Sequence, residues 1–293
     1  MTARERDGSK LSVTIRATDA SGDQIMLEYD AAVRAGAKVV VGPLTRSGVA
    51  AVAASNRISV PTLALNYPEA QAKTPEKFYS FGLSVEAEAR QVARQARLEG
   101  MRDMLAITAA SPLARRAGNA FAESFRALGG NITATLEFTP ASDLALLKQM
   151  VGKAGADGLF LAADVAQALE VRPFLSGALP TYSTSLVYSG RNDALTNVDL
   201  NGIRFVEMPW LVQPDNVAVM GYPRFDSLAP ELQRFYALGI DAFRLASEFA
   251  ANRMKINIDG VTGKLTLSGN QVQREAVMSQ FRDGAVVSLE PAR

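Results

Sequence analysis

The stretch AGAKVVVGPLTRSG, Ala35 to Gly48, holds the residues whose types and spacing are best suited to meet a ligand. An apolar run ends in a turn of glycine, proline and hydroxyls, and RSGVAAVAASN then continues with helical character. Ligands of α/β sheets bind beyond the carboxyl ends of the strands, where backbone donors and a helix N-terminus favour an anion. Thr45 and Ser47 could hydrogen-bond a carboxylate there, although Ser47 could equally do no more than cap its helix. Asn66 and Tyr67 end the next apolar strand and would face the same cleft in the usual sheet order. Tyr182, Ser183 and Thr184 end a later strand in the equivalent place.

Other chemistries fit less well. A phosphate cradle needs a lysine and a hydroxyl at fixed spacing, and GPLTRSG supplies neither, while Pro43 removes a backbone donor. GVTGKLTLSG has the Gly-Lys pair but reads as part of a hairpin, and no Gly-x-Gly-x-x-Gly offers a dinucleotide site. The chain contains no cysteine and no histidine, which excludes thiolate nucleophiles, Ser-His-Asp relays, disulfides and zinc sites built on thiolate or imidazole. No Gly-x-Ser-x-Gly elbow or Ser-x-x-Lys pair is present. Glu86 and Glu88, or Asp241 and Glu248, are most simply solvated helix faces or caps. The residues therefore indicate no enzyme, no cofactor and no metal. A balance of 31 basic against 30 acidic residues gives no global attraction to nucleic acid or anionic lipid. No apolar run reaches the ~20 residues of a membrane span, and MTARERDGSK has no signal-peptide core.

The elements that must position these residues alternate between strand and helix. LSVTIRAT (11–18) alternates and is β-branched, so it reads as a strand, and DQIMLEYDAAVRAG (23–36) reads as a helix stopped by Gly36. KVVVG (38–42) is a continuous apolar run, expected to be a parallel strand covered on both faces. With the helix 46–56 and the strand 60–66 the order is β-α-β-α-β, the sign of a parallel sheet. The pattern restarts at FYSFGLS (78–84), with helices at 86–100, 111–130 and 143–155 and strands at 103–109, 131–138 and 156–163. Ala117, Phe121, Phe125 and Leu128 share one helical face. Pro173 ends or kinks the helical stretch 165–178. A strand and loop follow at 179–188. A strand and an irregular crossing occupy 199–212, the longest helix lies at 229–253, and a hairpin turns at Ser268-Gly269-Asn270. Trp210, the only tryptophan, lies with Met208 and Pro209 at this lobe crossing, as hinge wedge, cleft wall or core. Two α/β lobes result, with a chain that crosses between them more than once.

These segments also resemble a known family. AGAKVVVGPLTRSGVAAVA, VPTLALNYP, FYSFGLSVEAEARQVA, PTYSTSLVYSG, DLNGIRFVEMPWLV, FYALGIDAFRL and GVTGKLTLSGN are similar, in order, to the C-terminal domain of the LppC/LpoA-type penicillin-binding protein activators. The MPW crossing and the ALGIDAFRL helix are the specific part. The resemblance implies a type I periplasmic-binding-protein-like α/β fold, two Rossmann-like lobes around a cleft. Lobe 1 would take 1–83 plus about 208–265, and lobe 2 would take 84–207 plus about 266–293. It also implies an outer-membrane lipoprotein of the periplasm that stimulates a class A penicillin-binding protein by contact, without catalysis. The family's signal peptide, lipidated cysteine, N-terminal helical repeats and usual first strand have no counterpart in the sequence, so a fragment or shortened form is expected, whose first lobe shows a gap, a substitute strand or low stability. The alternative is a periplasmic solute-binding protein of the branched-chain amino acid type, with Ser47 at the carboxylate-binding position and a small amino-acid-like ligand in the cleft. ALNYP departs from the Ala-x-Thr pattern that would complete that grip. A sensory domain is a third, weaker reading.

Overall fold

The computed structural model describes residues 2–19, 21–68, 73–175, 177–191, 193–225 and 227–289. The chain forms two compact units, one from Met1–Leu83 with Asp215–Arg274, the other from Ser84–Pro214 with Glu275–Ala292. Along the chain, β1 (Val40–Val41), β2 (Thr62–Ala64) and β3 (Phe78–Ser80) belong to the first unit. The second unit holds β4 (Asp103–Ala109), β5 (Asn131–Phe138), β6 (Gly158–Ala162), β7 (Thr181–Ser183) and β8 (Ile203–Glu207). Then come β9 (Asn257–Asp259), β10 (Lys264–Ser268) and β11 (Gln271–Glu275), which complete the first sheet, and β12 (Val277–Arg282) and β13 (Ala285–Ser288), which complete the second.

In the second unit the strand order is β13-β12-β8-β7-β6-β4-β5. The strands from β8 to β5 are parallel, and the antiparallel hairpin β12–β13 covers the β8 edge. Its turn, Asp283-Gly284, has positive φ at both residues (53° and 78°), which suits an aspartate-glycine pair. Side chains cap the helices that return each parallel strand. Ser84 caps Val85–Leu98, Ser111 caps Pro112–Ala127, Asp143 caps Leu144–Lys153 and Asp164 caps Val165–Val171. Ala117, Phe121 and Phe125 are wholly buried, with Phe121 stacked on Phe160 at 4.0 Å between ring centroids. Leu128 departs from that face and is 42% exposed, because the helix ends at Ala127 and Leu128 is its C-cap. Gly129 supplies the positive φ that stops the helix, and a side chain at Gly130 would run into the Phe125 ring. Pro173 ends the helix Val165–Val171 in a short tighter turn, Arg172–Phe174; Ser176 of the expected stretch lies outside the described residues.

In the first unit the order is β1-β2-β3-β11-β10-β9, parallel from β1 to β11. Helix Gly22–Arg34 buries Ile25, Met26 and Tyr29 with Val49 and Val52 of helix Arg46–Ala54 and with Ala64 and Phe78 of the sheet. Helix Pro230–Ala250 buries Leu238, Ala242, Leu245 and Phe249 with Leu63, Leu265 and Val272. Covering a parallel sheet with helices on both faces is what its continuous apolar strands require. The expected strand at 11–18 is not in the sheet: residues 12–18 are exposed, and among the described residues they join no ladder. β1 is therefore an edge strand, and Val41 is 45% exposed rather than covered on both faces. Alternation showed that 11–18 could serve as a strand, but it named no partner.

Two of the segments that carry the family resemblance meet at Asp241. This carboxylate is wholly buried in the helix Pro230–Ala250. It accepts hydrogen bonds from the Val261 N–H (3.1 Å), the Thr262 N–H (2.8 Å) and the Thr262 hydroxyl (2.6 Å), with the Arg244 guanidinium 3.5 Å away. ALGIDAFRL thereby grips GVTGKL. Gly260 is needed beside it, since a Cβ there would lie 2.5 Å from Asp241 Oδ2. Burial pushes the Asp241 carboxyl above its ordinary value against the pull of Thr262, Arg244 and Val261. The solvated-face reading of Asp241 is thus corrected.

The chain passes between units later than the sequence reading placed it. Helix Pro209–Val212 packs with the second unit, where Gln213 Nε2 donates to Ser288 Oγ at 2.9 Å, so the crossing falls at Pro214–Asp215. The hairpin β10–β11 stays with β3, so the return falls at Arg274–Glu275 rather than near 265.

Candidate functional site

The first unit brings four of the candidate residues together at the carboxyl ends of β1 and β2. Thr45 caps helix Arg46–Ala54, its Oγ1 accepting from the Gly48 N–H at 3.2 Å. The cap is therefore Thr45 and not Ser47. Ser47, one turn-position further on, is exposed, and its hydroxyl donates to Thr45 Oγ1 at 3.5 Å. Asn66 Nδ2 donates to the Leu44 carbonyl at 3.1 Å, and Asn66 Oδ1 accepts from the Tyr67 N–H at 2.9 Å. The Tyr67 hydroxyl donates to the Gly82 carbonyl at 3.2 Å, which ties the turn after β1 to the exits of β2 and β3. Gly82 permits this approach, since a Cβ would lie 3.1 Å from the Leu65 carbonyl. The first helical turn carries no acidic residue, so its amide dipoles are not neutralised from within. The Ser47, Asn66 and Tyr67 donors are thus directed at acceptors within the unit, and they brace the turn that presents the N-terminus of helix Arg46–Ala54.

The second unit places Tyr182, Ser183 and Thr184 differently, in its interior. The Tyr182 hydroxyl donates to Glu99 Oε2 at 2.5 Å, and Arg204 Nη1 pairs with the same oxygen. Burial and the Glu99 carboxylate raise the Tyr182 phenol well above its ordinary value. Ser183 Oγ donates to the Leu161 carbonyl at 2.7 Å. Thr184 is fully buried, and its Oγ1 finds no hydrogen-bond partner among the described residues. Ser185 donates through both its N–H (3.1 Å) and its hydroxyl (2.7 Å) to Glu88 Oε2.

Sequence reasoning missed the buried polar face behind these contacts. Glu88 is 6% exposed and not on a solvated face, and Gln91 makes a two-way bond with the Ala276 backbone at 2.6 and 3.0 Å. Glu88, Gln91 and Glu99 recur at helical spacing in EAEARQVARQARLEG. That was the available signal, but the pattern could not show which face turned inward. Glu86 accepts from Ser84 Oγ at 2.9 Å and pairs with Arg116 at 3.3 Å. Met208, Pro209 and Trp210 fall in the second unit and are buried, Trp210 completely, so Trp210 forms no exposed cleft wall. Among the described residues no His, Cys, Asp and Glu cluster could hold a metal ion, and no helix is long and apolar enough to cross a membrane.

Comparison with known proteins sets this geometry in context. A family model described as "LppC putative lipoprotein" matches residues 1–151 and 141–284. The penicillin-binding protein activator LpoA of Edwardsiella piscicida is 28% identical over 323 residues, covering 94% of this chain and 46% of that protein. The chain spans about half the length of the curated relatives it matches. The LpoA C-domain of Haemophilus influenzae, described as a regulator of PBP1A, superposes with a TM-score of 0.81 at 22% identity, over 99% of this chain and 93% of that one. A Chromobacterium violaceum structure described as a "putative branched-chain amino acid ABC transporter" superposes with a TM-score of 0.82 at 36% identity, over 95% of this chain and 91% of that one. The fold is that of type I periplasmic binding proteins, and the chain belongs to the LppC lipoprotein family.

Proposed function

We propose that this chain acts by protein contact, as a periplasmic domain that activates a class A penicillin-binding protein and so regulates peptidoglycan synthesis. The family match across nearly the whole chain carries the reading. Relatives named penicillin-binding protein activators, and a domain described as a regulator of PBP1A, supply the partner class. The chemistry supports contact rather than catalysis. The sequence has no cysteine or histidine, and the exposed Ser47 hydroxyl leans on Thr45 rather than on a base. The lipoprotein description of the family supports a place at the periplasmic envelope for this activity.

One observation favours a second reading, a solute receptor of the branched-chain amino acid type. The Chromobacterium violaceum structure is more similar in sequence than the LpoA relatives cited above. In that case Thr45 and Ser47 would take the ligand carboxylate beside Asn66 and Tyr67. Thermal melts with leucine, isoleucine and valine separate the two readings. A receptor gains about 2.7 kcal/mol when its solute is present at about a hundredfold excess over Kd. The activator reading expects no gain, and expects Ser47→Ala to leave stimulation of the synthase unchanged. A clear rise in Tm with one amino acid, abolished by Ser47→Ala, would establish the receptor reading.

A further inference from the structure

In the second unit, helices Val85–Leu98 and Pro112–Ala127 lie side by side, and one side chain ties their C-terminal ends together. Arg97 Nε donates to the Leu128 carbonyl at 3.3 Å and Nη1 to the Met101 carbonyl at 2.5 Å, with the guanidinium 5.7 Å from the centroid of the buried Phe125 ring. A bond from the Asn131 N–H to the Arg102 carbonyl (2.8 Å) joins the residues that enter β4 and β5 to this edge. One surface results at the amino edge of the sheet, opposite the strand exits where ligands of such sheets bind. Its leucines are open: Leu98 is 82% exposed and Leu128 42%. Arg94, Arg102 and Arg126 are exposed around them, and none is in an ion pair among the described residues. Most acids of the same edge are already engaged. Glu99 accepts from Gln95 (2.9 Å) and Tyr182 and pairs with Arg204. Asp103 accepts from Asn131 Nδ2 at 2.7 Å, and Asp157 accepts from the Arg102 and Asp103 N–H groups. Glu123, one turn before Arg126, is exposed and offsets one of the three charges.

We propose that this surface docks a partner polypeptide through a segment in which acidic residues flank one or two apolar side chains. Each guanidinium offers a planar fork of donors that matches a carboxylate, and Leu98 and Leu128 supply apolar area between the forks. Arginines around an apolar centre are the composition of protein interfaces. With a net charge of +1 on the whole chain, the cationic field is local to such a patch and steers an acidic partner to it. Cations in a last helical turn also complement the helix dipole. That effect explains neither the open leucines nor Arg102 beyond the helix end. It does not explain Arg90 either, an exposed residue one turn before Arg94 that forms with it a like-charged pair unfavourable to the helix. An anionic membrane would need an apolar face running along a helix, and two leucines at helix ends do not provide one. The inference rests on the activator reading for the class of its partner, and adds to it the surface and the chemistry.

The test titrates the purified chain with the periplasmic ectodomain of a class A penicillin-binding protein from the same organism, at low and at high salt. Arg94→Glu combined with Arg126→Glu should raise Kd about a hundredfold and reduce its salt dependence, and Leu98→Ser should raise Kd about tenfold. Lys148→Glu combined with Lys153→Glu makes the same charge change at exposed positions of the same unit, and should alter Kd less than about threefold. Every variant should melt within about 4 °C of the wild type, because the altered side chains are exposed. Binding that the arginine pair leaves unchanged, or that the lysine pair weakens equally, would overturn the proposal while the activator reading stands. In that case, arginine-dependent binding to phosphatidylglycerol vesicles would give the surface to an anionic membrane. Absence of binding by the wild-type chain would overturn both.

Discussion

Asp241→Ala should destabilise the first unit by about 3–5 kcal/mol, the range for removing one partner of a buried charged network. The substitution leaves the Val261 N–H, the Thr262 N–H and the Thr262 hydroxyl facing a cavity with no acceptor, and it leaves Arg244 beside them. Hydrogen exchange is the appropriate readout, because a chain of two units need not melt in one step. Val261, Thr262 and the β10 amides should exchange much faster, while β4 and β6 of the second unit stay protected. A loss below about 1 kcal/mol would mean the loop 260–263 holds its shape without the carboxylate. The network also has a pH signature. The folded chain binds the Asp241 proton more tightly than the unfolded chain, so this group's contribution to stability falls as pH rises above its ordinary value of 3.8. Asp241→Ala should remove that slope.

Trp210→Ala should cost about 3–5 kcal/mol of stability, as for a large aromatic cut from a packed interior. Trp210 is fully buried, with Met208 and Pro209 buried beside it in sequence, and the following Leu211 and Val212 pack on the core of the second unit. Exchange should accelerate in β12 and β13, against which helix Pro209–Val212 packs. Trp210→Phe should lose less, since it keeps most of the apolar surface. An effect within about 0.5 kcal/mol, the scale of a surface substitution, would contradict its burial.

The sequence made some of this architecture legible and hid the rest for identifiable reasons. Apolar runs such as DMLAITA and GLFLA, and the helical spacing of Ala117, Phe121 and Phe125, led directly to buried parallel strands and the helix Pro112–Ala127. Periodicity describes a face, however, and not what the face meets. It therefore placed 11–18 in a strand with no ladder to join, and it put Leu128 inside when the helix stops one residue earlier. Buried polar residues were hidden more deeply. Glu88 meets Ser185, 97 residues away, and Asp241 meets Thr262 from another element. An isolated Glu or Asp looks the same in sequence whether it is solvated or gripped. The candidate site divided along the same line: Thr45, Ser47, Asn66 and Tyr67 lie at strand exits, whereas Tyr182 and Ser183 spend their hydroxyls on Glu99 and Leu161.

The most direct test of the activator reading is a binding titration of this chain against the periplasmic ectodomain of a class A penicillin-binding protein from the same organism, with and without a mixed amino-acid pool. The reading predicts saturable binding that the pool leaves unchanged. Absence of binding, with the pool instead raising the melting temperature of the chain, would contradict it and make the protein a solute receptor.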